Sequence, residues 1–139
     1  MTGSSTLGDS TLGDSTLEGS TLEGSTLDVL LGDDEWYPVC APDTLTPGRG
    51  VAALLPDGRQ VAVFLDRSGR PYAISNRDPF SGAYVLSRGL TGTHEGRFFV
   101  ASPLLKQRFE LATGRCLDDE EVAVQAYEAR LRTRVPATT

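Results

Sequence analysis

What most constrains this chain is a series of short apolar runs, each closed by a turn signal before it is long enough to make a helix. Val51–Leu55 and Val61–Leu65 flank Pro56-Asp57-Gly58, and Val61–Leu65 and Pro71–Ser75 flank Asp66-Arg67-Ser68-Gly69. Runs of this length, rich in Val, Leu, Ile and Phe and joined by Pro, Asp and Gly, read as β-hairpins. Trp36–Ala41 reads as a strand ahead of them. Tyr84–Ser87, Arg97–Ala101, Arg108–Leu111, Arg115–Leu117, Val122–Tyr127 and Ala129–Val135 continue the series. A single helical turn is expected at Pro42–Leu45, with Asp43 as its cap. Short strands at this spacing indicate an all-β fold: an antiparallel β-sandwich or partly open barrel.

The first part of the chain has a different texture. Residues 5–28 repeat a five-residue unit as STLGD, STLGD, STLEG, STLEG and STLD. On a helix, leucines five apart advance by about 140° each, and on a strand they alternate faces, so neither element gains an apolar stripe. Gly and Ser add to the cost of ordering. Residues 1–34 are therefore expected to be a disordered acidic tail, 35–135 the folded domain and 136–139 a frayed end. Charge follows the same division. Residues 1–35 hold eight acidic and no basic side chains, leaving eleven acidic and thirteen basic in 36–139, so the net charge of −6 masks a near-neutral, slightly basic remainder. No basic stripe with interleaved aromatics argues for nucleic acid.

The start of the chain has neither the positive charge nor the apolar run of a secretory leader, and no run is long enough to span a bilayer. Cys40 and Cys116, far apart and outside any C-x-x-C spacing, suit a reducing compartment. A cytoplasmic protein is expected.

Two connections, Asn76–Ala83 and Pro103–Gln107, break the strand rhythm, and connections of this kind carry function more often than strands do. A Rieske centre is held by C-x-H on one loop and C-P-x-H-G on a facing one. Here the second frame runs from Ser102 to Gly114. Pro103, Phe109, Leu111 and Thr113-Gly114 fall in register, while the ligand positions hold Asn76 and Asp78 on the first loop and Ser102 and Leu105 on the second. Further segments are Trp36-Tyr37-Pro38-Val39-Cys40, Leu45-Thr46-Pro47-Gly48, Gln60-Val61-Ala62-Val63-Phe64, Asp78-Pro79-Phe80-Ser81-Gly82-Ala83 and Leu86-Ser87-Arg88-Gly89. With these, residues 35–135 resemble the Rieske-like small subunit of assimilatory NAD(P)H-dependent nitrite reductase. The resemblance implies a Rieske-type all-β fold without a cluster and no cofactor in this chain. It also implies a large-subunit partner that carries flavin, an iron–sulfur cluster and sirohaem and reduces nitrite to ammonium.

The residues themselves argue against iron. A [2Fe–2S] cluster takes thiolates, joined by imidazoles in the Rieske case. Asn and Ser are poor ligands for it, Leu offers no donor, and Asp78 alone is too few for a closed site. Cys40, Cys116 and His94 match no metal spacing, and His94 is expected on an exposed turn, Gly92–Gly96. No glycine-rich phosphate loop opens a helix, Ser102 has no histidine base beside it, and Asp118–Glu121 reads as a solvated edge. No catalytic residues and no metal site are expected.

If docking outlives the cluster, the tip formed by the two loops becomes an interface. Arg77, Phe80, Tyr84, Arg88, Lys106 and Arg108 are the candidate contacts, since Arg and aromatics are enriched at interface hot spots. Structural alternatives are that Asp78 pairs with Arg77 or Lys106, that Asn76 caps its turn, that Phe109 belongs to the core, and that the opposite sheet face docks instead. The expected function is a non-catalytic small subunit that stabilises or positions the sirohaem-bearing large chain. The alternative is an independent Rieske-fold protein-interaction module serving another oxidoreductase.

Overall fold

A computed structural model describes residues 25–132. Ten strands follow one another: β1 Thr26–Leu30, β2 Trp36–Cys40, β3 Val51–Leu54, β4 Gln60–Leu65, β5 Pro71–Ser75, β6 Leu90–His94, β7 Arg97–Ala101, β8 Arg108–Glu110, β9 Ala126–Tyr127 and β10 Ala129–Arg132. They form sheets ordered β10-β1-β2, β3-β4-β5-β9 and β6-β7-β8, and every ladder is antiparallel. The described residues contain no α-helix, only 3-10 turns at Pro42–Thr44 and Leu86–Arg88.

The first two sheets are joined into a partly open barrel. Only Glu128 separates β9, paired with β5, from β10, paired with β1, so one bent segment serves both sheets. On the far side β2 approaches β3 with no ladder between them. Leu27, Val29, Leu45, Leu55, Val61, Val63, Leu65 and Ala73 fill the interior. The third sheet packs outside: Ala62, Phe64, Tyr72, Ile74, Leu86, Val100, Phe109 and Leu111 form a second cluster. Strand β4 therefore has apolar partners on both faces, Val61, Val63 and Leu65 toward one cluster and Ala62 and Phe64 toward the other. That explains why Val61–Leu65 is uninterrupted in apolar character where a half-exposed strand would alternate.

The all-β expectation and most hairpins match, but several boundaries are corrected. Thr26–Leu30, assigned to the disordered tail and placed outside the 35–135 domain, is the central strand of its sheet, with Leu27 and Val29 fully buried. The last repeat copy differs from the others because Val29-Leu30 follows it, so Leu27 and Val29 alternate inward as a strand requires. The expectations for residues 1–24, for the end of the Ala129–Val135 strand and for 136–139 lie outside the described residues. Tyr84–Ser87 is not a strand: Tyr84 makes a single bridge to Arg77, and the chain then turns through Leu86–Arg88. Leu90–His94 is a strand that the polar sequence Leu-Thr-Gly-Thr-His concealed, and the turn proper is Glu95-Gly96. Val122–Tyr127 narrows to Ala126–Tyr127, and Arg115–Leu117 is reduced to bridges at Arg115 and Cys116. Asp43 does not cap its turn, because Pro42 occupies the first helical position and leaves Ala41 as the cap.

Candidate functional site

Strands β5 and β7 end side by side, and the loops that leave them, residues 76–85 and 102–107, form one tip of the molecule. Each loop is closed by its own backbone. In the first, Asp78 N donates to Ala83 O at 2.8 Å and Gly82 N donates to Asp78 O at 2.7 Å. Gly82 sits at φ 81°, a left-handed conformation that glycine adopts without a Cβ penalty. In the second, Ser102 N donates to Gln107 O at 2.9 Å and Lys106 N donates to Ser102 O at 3.0 Å. Lys106 takes φ 70°, the left-handed backbone at the position where the iron-binding pattern has glycine.

Between these loops, in the place the pattern reserves for a cluster, lies a hydrogen bond. Ser102 Oγ donates to Asp78 Oδ2 at 2.6 Å, with both side chains buried. The other carboxylate oxygen, Oδ1, accepts from Phe80 N at 2.9 Å, and Ser102 Oγ accepts from Leu104 N at 3.2 Å. One side-chain contact thus ties the two loops to each other and to their own turns. Asn76 anchors the first loop from behind. Its Oδ1 accepts from Ser87 N at 2.7 Å, and its Nδ2 donates to Gln60 Oε1 at 3.1 Å. Asp78 therefore pairs with Ser102 and with neither Arg77 nor Lys106, and Asn76 braces a neighbouring turn where it was expected to cap its own.

This donor set does not fit an iron–sulfur cluster. Asn76, Asp78 and Ser102 have their polar atoms turned inward and bonded to protein. Leu105 carries no donor and is about half exposed. Cys40 and Cys116 belong to different apolar clusters, and burial pushes the Cys40 thiol up, against the thiolate that metal binding needs.

The tip's outer surface presents both apolar and basic side chains. Leu104 is 52% exposed, Leu105 50% and Tyr84 53%. Leu90, 77% exposed, pairs with Ala101 at the foot of the second loop. Arg77, Arg88 and Lys106 are exposed as well, and no ion pair involves them among the described residues. The remaining candidates behave differently. Phe80 is half-buried with its ring 6.2 Å from that of Phe109, so it belongs largely to the core, as does Phe109. Arg108 is engaged by Asp118, with Nη2 donating to Oδ1 at 2.8 Å, and lies over the Phe99 ring. That hydrogen bond keeps the Arg108 guanidinium more firmly protonated and holds the Asp118 carboxyl below its ordinary value. The exposed leucines at 90 and 104 were missed by sequence reasoning. Adjacent leucines in a loop between Pro103 and Lys106 were the available signal.

Residues 35–135 match the family described as the Rieske-like [2Fe-2S] domain. The chain is 49% identical over 102 residues to the nitrite reductase (NADH) small subunit of Salmonella typhimurium, covering 73% of this chain and 94% of that one. Among solved structures it resembles the E. coli protein NirD at 50% identity and a TM-score of 0.63, over 69% of this chain and 87% of that one. It is also 42% identical over 97 residues to a nitrite reductase [NAD(P)H] large subunit of Klebsiella oxytoca; the match covers 69% of this chain and 10% of that protein.

Proposed function

The chain belongs to the Rieske-like nitrite reductase small subunits, and from that premise we propose that it is a non-catalytic, cluster-free subunit that docks on the large subunit through its loop tip. The observation that carries this reading is the substitution at the tip: an internally satisfied Asp78–Ser102 pair inside, and exposed leucines and basic side chains outside. A cluster-binding tip needs ligands facing inward and a surface that releases its redox partner. This tip retains the shape and fills the interior with a structural lock. Adjacent exposed leucines on a loop tip that also presents unpaired basic side chains fit an interaction surface. The Klebsiella relative supports the same reading, because there a segment like this domain makes up a tenth of a chain named as the large subunit. A module found both as a separate subunit and within the large chain is one whose place is against that chain.

Under this reading the flavin, iron–sulfur and sirohaem chemistry resides in the large subunit, and this chain contributes binding surface and stability in the cytoplasm. The test is co-expression of the full chain with its large subunit. Leu104→Glu together with Leu105→Glu places two charges in the patch without touching the buried lock. The expected result is loss of co-purification and of nitrite-dependent NADH oxidation, with the urea midpoint of the isolated chain unchanged. Undiminished co-purification would move the interface away from the tip. Stoichiometric iron and sulfide in the purified small subunit would overturn its cluster-free status.

A further inference from the structure

The end of the molecule opposite the tip holds a cleft of about 680 Å³. It forms where the β4–β5 turn, the β6–β7 turn and the end of β8 converge. Arg67, Arg70 and Arg97 line it, and among the described residues no carboxylate pairs with any of them. Tyr72 and Phe98 form an apolar wall, ring centroids 5.4 Å apart, with the Arg70 guanidinium 5.3 Å from the Tyr72 ring. Two carboxylates also line the cleft, Asp66 and Glu110, and both are engaged locally. Asp66 accepts from Ser68 N and Oγ, Arg70 N and the Tyr72 hydroxyl, and Glu110 accepts from Thr113 Oγ1. Three guanidiniums against two locally bonded carboxylates leave an open groove of net positive charge with aromatic backing, not used by docking at the tip.

We propose that this cleft binds an extended acidic peptide, and that its resident occupant is the chain's own repeat segment, residues 1–24. Charge complementarity is the first argument. Residues 1–24 carry Asp9, Asp14, Glu18 and Glu23 and no Lys or Arg. Position is the second. Strand β9 runs along β5 from Ile74 toward Tyr72 and Arg70, which line the cleft, and β10 continues from β9 to Arg132, the partner of Thr26. The strand that the repeat segment leads into thus starts at the cleft's end of the barrel. Reach is the third. A Gly/Ser-rich coil of that length spans roughly 25–30 Å, comparable to the width of a domain of this size. Acids four or five residues apart also suit the cleft, because an extended chain delivers one carboxylate about every 15 Å, enough to meet arginines in turn without competing for one.

The contact is weak and salt-sensitive by nature. A short tether supplies an effective concentration in the mM range, so even an mM site is about half occupied. Exposed ion pairs fade as salt shortens the Debye length to about 3 Å at 1 M. The consequence is that the repeat segment shields the base groove from other anionic chains and leaves the tip as the free basic surface.

Amide NMR spectra of the full chain test this at low salt and at 1 M NaCl. One variant carries Asp9→Asn, Asp14→Asn, Glu18→Gln and Glu23→Gln; a second carries Arg67→Ala and Arg97→Ala, both on the exposed surface. The expected result is that neutralising the segment shifts signals of residues 66–70, 91–97 and 110–112, leaves 76–84 and 102–107 in place, and loses its effect in 1 M NaCl. The arginine variant should reciprocally shift signals of residues 9–23. Unmoved cleft signals at low salt overturn the proposal, and so do shifts centred on the tip. Shifts that grow with protein concentration overturn it too, because they assign the cleft to a second copy. Docking at the tip is read separately, by co-purification with the large subunit.

Discussion

Removing the Ser102 hydroxyl tests whether one side-chain contact holds the tip together. In Ser102→Ala the carboxylate oxygen Asp78 Oδ2 loses a donor 2.6 Å away and stays buried, since Asp78 is 0% and Ser102 1% exposed. Removing one partner of a buried hydrogen bond costs about 1–3 kcal/mol, because the acceptor left bare keeps its desolvation penalty. The void left by one oxygen is small, so the expected loss is about 2–3 kcal/mol. A domain of this size has about 5–15 kcal/mol in total. With a urea m-value of about 1–3 kcal/mol/M, the midpoint should fall by roughly 0.7–3 M without a change in slope. Fluorescence of Trp36, the only tryptophan, reports the transition from a different sheet. Asp78→Asn is the discriminating partner: its amide can still accept from Phe80 N and donate to the serine, so about 1 kcal/mol is expected. A double-mutant cycle with alanine at both positions should show coupling of about 1.5–3 kcal/mol. Coupling below about 0.5 kcal/mol, or an unmoved Ser102→Ala midpoint, would refute the lock and leave the loops to their backbone bonds and Asn76.

Other perturbations probe the rest of the structure. Asp28 is 2% exposed and accepts from Arg130 Nε at 3.2 Å and Thr26 Oγ1 at 2.6 Å. Asp28→Ala should cost about 2–3 kcal/mol in urea melts, below the full cost of breaking a buried pair because the arginine can turn to water. Gly89 lies so close to β7 that a Cβ there would meet Ala101 O and the Val100 side chain. Gly89→Ala should lower stability by about 1–3 kcal/mol, and amide NMR should show the displacement concentrated in Leu86–Arg88 and β7. Hydrogen bonds from Ser68 depress the Asp66 carboxyl, and those from Arg108 depress Asp118. A depressed carboxyl stabilises the fold above its unfolded value near pH 4 and loses that contribution as pH falls through the lower folded value. Urea midpoints should therefore drop below about pH 4, and Asp66→Asn should flatten the decline.

Legibility from sequence varied with how local each determinant was. The hairpins around Pro56-Asp57-Gly58 and Asp66–Gly69 were readable because a turn and its flanking strands are set within about a dozen residues. The degenerate ligand positions were readable because residue identity alone excludes iron at Leu105. Strand β1 was not. Its leucine came from a repeat that cannot form a stripe by itself, and its place as a central strand needs both β2 and β10, the latter about a hundred residues later. Strand β6 was hidden because Leu90–His94 is mostly exposed and its ladder to β7 does the work that apolar periodicity usually advertises. The tip candidates divided for the same reason: Phe80 and Arg108 look like interface residues by type, but Phe109 and Asp118 claim them.

The sequence by itself determined an all-antiparallel β domain, the family resemblance, and the absence of thiolate and imidazole from two facing loops. These follow from local turn chemistry and residue identity. Tertiary structure decided what replaced the ligands, because Asp78 and Ser102 are 24 residues apart and meet only when β5 and β7 end together. It also decided which leucines face water and which arginines share a groove, since exposure depends on what packs behind a side chain and not on its type.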